Sequence, residues 1–285
     1  MNGTRLADLQ RWIGRGEAAE EVLSPLPARR LAATLDLPAA HWPGAQLPPL
    51  WHVLYFLDGT PTEELADDGT ARDLPLLPPV EADQMLWLGA DYRFQGPLQL
   101  DATTRRESRV AEVSAHRGSR GAMVFVTLEH RYLQQGALRV QEQVHLAFLP
   151  TAQQQAAPHV APHVAAPPCT TVQRWTLSET LLFRFAALTF DTHRIHYDQH
   201  YATRTAGFPG LVVQGPLQAL LLSETLRAQQ PHEALRSARF RAHAPLFCTG
   251  AELRICAGRG GAAAQHQLWT ESASGGMALQ GCLGL

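Results

Sequence analysis

The sequence predicts an α+β fold in which antiparallel sheets pack on helices, and it predicts that arrangement twice over. Each half of the 285-residue chain places helical or apolar segments ahead of a run of long strand candidates. Those candidates alternate apolar and polar residues, as strands do when one face packs on a core and the other meets solvent. Between the halves, residues 151–168 are rich in Gln, Ala, Pro and His, with little to bury and too many prolines for a helix.

The first half opens with a helix over 5–13, where leucines and Trp12 fall at helical spacing, and a second over 28–35 ahead of Pro38. Pro48-Pro49 then precedes residues 50–57, an almost wholly apolar run that fits a buried strand or a short buried helix equally well. Strand candidates follow at 83–94, 98–114, 122–133 and 137–149, with Gly118, Gly121 and Gly136 in the turns. In the second half, 171–191 reads as strand-like runs and 197–204 as a short helical stretch. Gly207-Phe-Pro-Gly210 is a turn, and 217–227 is a helix with Pro216 in its first turn. Strands at 235–242, 251–257, 264–272 and 277–285 complete the chain. The expected domains are residues 1–150, a linker at 151–170, and residues 171–285.

Composition narrows the function. With 45 % hydrophobic and 18 % charged residues a sizeable core is expected. The net charge of −2 argues against nucleic acid as a partner, and there is neither a basic run nor an apolar stretch of about 18 residues to engage a membrane. No leader is visible after Met1, and the four cysteines form no Cys-x-x-Cys, so a reducing cytoplasm is expected. The linker repeats Ala-Pro-His-Val at 157–160 and 161–164; His159 and His163 could pair on a metal, but flexible repeats generate such pairs without chemistry.

Residues 190–198, Phe-Asp-Thr-His-Arg-Ile-His-Tyr-Asp, concentrate the chemistry. Three readings stand. A polar loop collects histidines by chance. His193, His196 and His200, at helical spacing, could line a metal site, although the β-like residues before them and the lack of His-Glu-x-x-His argue against it. Thirdly, Asp191 and His196 could meet across a turn and grip one water. Addition of water to an α,β-unsaturated thioester needs such a base and acid, together with a donor for the oxygen on which charge develops. Gly215, at the start of the 217–227 helix, offers a bare backbone N–H at the positive end of a helix dipole.

Asp191-Thr-His-Arg-Ile-His196 resembles the Asp-x-Asn-Pro-x-His signature of MaoC-like (R)-specific enoyl-CoA hydratases, with His193-Arg194 in place of Asn-Pro. The strings at 184–198 and 207–217 resemble the subgroup of mesaconyl-C4-CoA hydratases, itaconyl-CoA hydratases and type 2 hydroxyacyl-thioester dehydratases. So do 47–57, 77–80, Met85-Leu-Trp-Leu-Gly-Ala90 and Arg105-Arg-Glu-Ser-Arg109. The resemblance implies a double hotdog, each half a helix wrapped in an antiparallel sheet, with the acyl pocket shaped by the N-terminal half. It implies that Asp191 and His196 hold the catalytic water and that the Gly215 N–H polarises the thioester carbonyl. The substrate it implies is an acyl-CoA, with a short branched or dicarboxylic acyl group and no cofactor. Two departures stand out: Gln214 replaces a His frequent in the subgroup, and Asp191 replaces an Asn. An amide still donates a hydrogen bond but does not titrate.

Further candidates carry two readings each. Arg194 binds a substrate carboxylate or phosphate, or pairs with Asp198 or Asp191 to hold the loop. His193 and Gln214 are candidate substrate contacts. Arg239, Arg241 and His243 alternate onto one strand face, either a CoA-phosphate surface or a solvated exterior. Trp51, Trp87 and Trp269 are expected in the core. Exposed sheet edges would pair in a homodimer. Two rival functions remain at this point, a thioester-binding subunit without activity and a thioesterase on the same fold.

Overall fold

A computed structural model of the chain describes residues 6–42, 44–80, 84–118, 121–149, 166–168, 170–250, 252–258, 265–271 and 275–285. Most of the expected linker at 151–170, with His159, His163 and Cys169, lies outside them.

The first half begins with α1 (Leu6–Gln10), β1 (Gly16–Val22) and α2 (Pro25–Thr34). Ser24 caps α2, two prolines occupy its opening turn, and Ala28, Leu31 and Ala32 form its buried stripe. Short β2 (Gln46–Leu47) pairs with β4 (Leu98–Gln99); between them runs β3 (Gln84–Phe94). Then come the three long strands β5 (Thr103–Gly118), β6 (Gly121–Gln134) and β7 (Ala137–Leu149).

The second half supplies β8 (Thr170–Thr176), α3 (Glu179–Leu188), β9 (Leu211–Val212) and α4 (Gly215–Gln229). It ends with β10 (Ser237–Ala242), β11 (Phe247–Cys248), β12 (Glu252–Ala257), β13 (Gln265–Glu271) and β14 (Met277–Gly284). Every residue of α4 from Leu217 to Leu226 is buried, as befits a helix that a sheet wraps. Its one buried acid, Glu224, is met by Arg227 and by Trp51 Nε1 at 2.9 Å.

Ten strands form one antiparallel sheet in the order β1-β5-β6-β7-β3-β10-β14-β13-β12-β8. The halves join at β3–β10, and α4 packs on β3 as well as on β13 and β14. At this seam Gly89 (φ +145°) lies so close to the Phe240 carbonyl that a Cβ would stand 2.0 Å from its oxygen. Asp91 clamps the outer face: Arg239 Nε and Arg241 Nη2 donate to it at 2.7 and 2.6 Å, with His145 Nε2 at 2.8 Å. Burial pushes its carboxyl up, but the bonds from Arg241, His145 and Arg239 prevail and hold it at about 2. Arg239 and Arg241 thus serve the seam, while His243 faces Gln280.

Three sequence expectations change. The strand-like run at 171–191 ends at Thr176; Ser178 then caps α3, whose Leu181, Leu182, Phe185 and Ala186 follow helical spacing into the core. Strand β1 was not expected, because its residues, Gly-Glu-Ala-Ala-Glu-Glu-Val, are almost all exposed and carry no alternation. Finally, the two halves are not alike. The apolar run at 50–57 forms only a four-residue 3₁₀ turn, Trp51–Leu54. Leu50 (φ +70°) before it and Phe56 (φ +57°) after it adopt left-handed conformations that stop a helix on either side.

Candidate active site

Asp191 owes its position to the end of α3. Phe190 takes the left-handed conformation (φ +53°), and the Asp191 N–H bonds the Ala186 carbonyl at 2.8 Å. This is the closure that usually ends a helix on glycine. A phenylalanine there costs on the order of 1–3 kcal/mol. Asp191 Oδ1 accepts the His193 N–H at 3.1 Å, and a 3₁₀ turn over Arg194–His196 returns the chain towards the carboxylate.

His196 is pinned by its far nitrogen. Nδ1 lies 2.7 Å from the Val212 carbonyl, which only accepts, so Nδ1 carries hydrogen and the neutral ring offers a lone pair at Nε2. Nε2 is 3.7 Å from Asp191 Oδ2, too long for a direct hydrogen bond. One water about 2.8 Å from each atom fits that gap.

The loop is braced from the other half. The segment around Asp67, Asp68 and Gly69 accepts hydrogen bonds from Arg194 N (to the Asp68 carbonyl, 2.8 Å), Arg194 Nη1 (to the Asp67 carbonyl, 2.9 Å) and Thr192 Oγ1 (to the Gly69 carbonyl, 2.5 Å). Arg194 also donates from Nη2 to Asp198 at 2.7 Å and lies over the Tyr201 ring. Nε, Nη1 and Nη2 thus each hold the loop together by one bond. His193 packs edge-on to His196, with centroids 5.4 Å apart and Nε2 3.9 Å from Asp68. Burial, then the neighbouring His196, lowers its pKa against the opposing pull of Asp68 and Asp191.

Gly215 is the first residue of α4, so its N–H has no carbonyl within the helix to bond. The turn before it is fixed by the Val213 N–H bonded to the Leu246 carbonyl and by Gln218 Nε2 bonded to the Val213 carbonyl. Trp87 of β3 lies against its Cα: a Cβ on Gly215 would stand 2.3 Å from Trp87 Cε3. Gln214 is only 2 % exposed; it donates to the Leu182 carbonyl at 3.3 Å, and its Oε1 has no partner.

A cavity of about 410 Å³ opens beside the loop. Asp191, Thr192 and His193 form one wall; His196, Arg194, Gln214 and Gly215 are not on the lining. The opposite wall belongs to the first half and holds a polar cluster that the sequence did not reveal. Tyr92, Glu142, His130 and Ser108 are successive register partners across β3, β7, β6 and β5, and Arg106 is the partner of Tyr132 in a neighbouring row. Glu142 Oε2 receives Tyr132 Oη at 3.1 Å and lies 3.3 Å from His52 Nε2. Burial is the largest influence and raises its carboxyl, but the bond and charge of His52, with His130 and Tyr92, together outweigh it and leave the group at about 2. The available signal was period two: Arg106 shares its face with Thr104, Ser108 and Val110, all buried. Among the described residues no group of three or more His, Cys, Asp or Glu is placed to hold a metal.

The sequence profile of the hydroxyacyl-thioester dehydratase type 2 family matches residues 50–248. A mesaconyl-C(4)-CoA hydratase from Chloroflexus aurantiacus is 38 % identical over 85 % of this chain and 86 % of its own. A solved MaoC-like dehydratase, 14 % identical, superposes with a TM-score of 0.73 over 97 % of this chain and 99 % of its own. A conserved hypothetical protein from Mycobacterium tuberculosis with a double hotdog fold, 12 % identical, superposes at 0.52 over 99 % of this chain and 97 % of its own. The fold is thus a double hotdog; its C-terminal half holds the fifteen-residue helix α4, while the apolar run of the other half forms the short turn at Trp51–Leu54.

Proposed function

Because the chain belongs to the hydroxyacyl-thioester dehydratase type 2 family, we propose that it is a hydro-lyase that adds water reversibly to a 2-enoyl-CoA. The observation that carries this reading is the gap of 3.7 Å between Asp191 Oδ2 and His196 Nε2, with the imidazole fixed by Val212.

A water held in that gap gives a proton to the Asp191–His196 pair as its oxygen bonds to Cβ of the acyl group. The C=C electrons move to Cα and the thioester oxygen, and Cα then takes the proton back from the Asp191–His196 pair, which is restored; the reverse sequence dehydrates a 3-hydroxyacyl thioester. The charge that develops on the thioester oxygen is met by the Gly215 N–H at the start of α4. His193 faces the substrate from the cavity wall. Arg194 and Gln214 serve as braces, the first of the loop and the second of α3 against α4. The reaction is redox-neutral and needs no cofactor beyond the CoA carried by the substrate.

The named activity of the Chloroflexus relative supports a short branched or dicarboxylic acyl group. Among the described residues no helix is long and apolar enough to cross a membrane. Action in the cytoplasm, and a homodimer paired through exposed sheet edges, complete the reading.

The test follows the conjugated enoyl-thioester absorbance over a panel of 2-enoyl-CoAs. Loss of absorbance without release of free thiol is expected, and Asp191→Asn and His196→Ala should each slow it by about 10²-fold or more. Full activity in both variants, or thiol release in place of hydration, overturns the proposal.

A further inference from the structure

The hydration chemistry uses one wall of the cavity and leaves the opposite one without a task. That wall carries Arg106, whose side chain is only 14 % exposed and whose Nε is buried with no hydrogen-bond partner. We propose that Arg106 is a specificity-determining residue that binds a free carboxylate at the far end of the acyl group, so that the protein selects enoyl thioesters of dicarboxylic acids. The proposal rests on the hydratase reading for what lies at the other end of the ligand.

A guanidinium is a permanent cation, and burying one without a carboxylate partner is costly. The contacts Arg106 does make are modest. Nη1 donates to the Phe56 carbonyl at 3.0 Å, and the Phe56 ring lies 5.3 Å beneath the guanidinium carbon. Nη2 reaches Glu17 Oε1 only at 3.5 Å; the Glu17 side chain is 45 % exposed and off the cavity lining. Phe56 therefore takes one corner of the guanidinium and leaves the Nε–Nη2 edge, the side-on edge to which a carboxylate pairs with two parallel bonds. Release of the loose Glu17 contact and a rotamer change bring that edge to the cavity.

The anions nearby do not fill this place. Glu142 is committed to His52 and Tyr132. Asp58 sits at the exposed rim, and Asp191 belongs to the opposite wall. His130 also lines the cavity; its Nδ1 is 2.8 Å from Ser108 Oγ, and burial holds its pKa down, so it adds a polar edge rather than a second cation. The cavity, about 410 Å³, has room for a short acyl group between Arg106 on one wall and Asp191 on the other.

The deciding comparison uses two enoyl thioesters that differ at one end, fumaryl-CoA with a carboxylate and crotonyl-CoA with a methyl group. Wild type is expected to favour fumaryl-CoA in kcat/KM by about 10- to 100-fold. Arg106→Gln should lose about that factor on fumaryl-CoA, chiefly as a rise in KM, while crotonyl-CoA changes by less than about threefold. Arg106→Lys, which keeps the charge but not the paired bonds, should fall between the two and serves if Arg106→Gln does not fold. Equal losses on both substrates, or no wild-type preference, overturn the inference. Should neither thioester be hydrated, calorimetry with the saturated succinyl-CoA and butyryl-CoA separates the two questions. Tighter binding of succinyl-CoA that vanishes in Arg106→Gln upholds the carboxylate site and removes only the hydratase reading, whereas equal affinities overturn the site as well.

Discussion

Gly69 and Thr192 meet backbone to backbone: the Thr192 hydroxyl donates to the Gly69 carbonyl at 2.5 Å, and a Cβ on Gly69 would stand 2.0 Å from the Thr192 carbonyl oxygen. The loop that carries Asp191 is thus seated on a turn from the other half, and only glycine permits the approach. Gly69 also has φ +86°, so any side chain there is both strained and in collision. Gly69→Ala should cost about 2 kcal/mol or more in stability and lower kcat, because the displaced neighbour is the residue after Asp191. Thermal melts and hydration rates on the same preparation check this; an unchanged melt would show that the turn yields freely.

Asp191→Asn should separate chemistry from folding. An amide oxygen can still accept the His193 N–H, so the turn survives while the carboxylate is lost. A melting temperature within a few degrees of wild type is expected, with kcat reduced by about 10²-fold or more. A large drop in melting temperature would mean that the charge holds the loop.

Gly215→Ala drives a methyl into the Trp87 ring. Stability should fall by roughly 1–3 kcal/mol as the ring or the helix start gives way. Trp87→Leu in the same chain removes the ring atoms that collide. A double-mutant cycle from denaturant melts should therefore show favourable coupling between the two changes, and simple additivity would argue that the contact is soft.

The buried Glu142 links stability to pH. Its pKa is depressed from 4.5 to about 2, so its contribution is fully present above about pH 4.5 and is lost as pH falls towards 2. A shift of that size corresponds to roughly 3 kcal/mol. His193 acts in the same direction at higher pH. Its folded pKa lies below the usual histidine value, so the folded state resists protonation and loses stability as pH drops below about 6.5. Denaturant melts of Glu142→Gln between pH 5 and 2 should show a flatter profile than wild type; parallel profiles would place the acid sensitivity elsewhere.

How much of this was legible in the sequence depended on distance along the chain. Asp191 and His196 lie five positions apart, and the loop that brings them together is local, so the motif named the pair. The strands β3, β6 and β7 announced themselves by alternation, and α4 by its leucines and Pro216. Arg106, His130 and Glu142 come from three strands and meet only through register, which a single sequence does not print. The Asp67–Gly69 turn meets Thr192 across more than a hundred positions, a contact that a single sequence does not print either. Helix α3 is hard to tell from a strand by composition, because Phe and Thr suit strands; the cap at Ser178 and the spacing of its buried residues mark it as a helix. Strand β1 has no buried face at all and is held by cross-strand pairing with β5.

The inequality of the two halves has an evolutionary consequence. A pair of identical subunits must carry every substitution twice, so a helix shortened to make room for a ligand is shortened on both sides. Here the fifteen-residue helix and the four-residue turn are encoded by separate stretches of one chain. A substitution between Trp51 and Glu142 can therefore alter one wall of the cavity without a matching change in the stretch from Asp191 to Gly215.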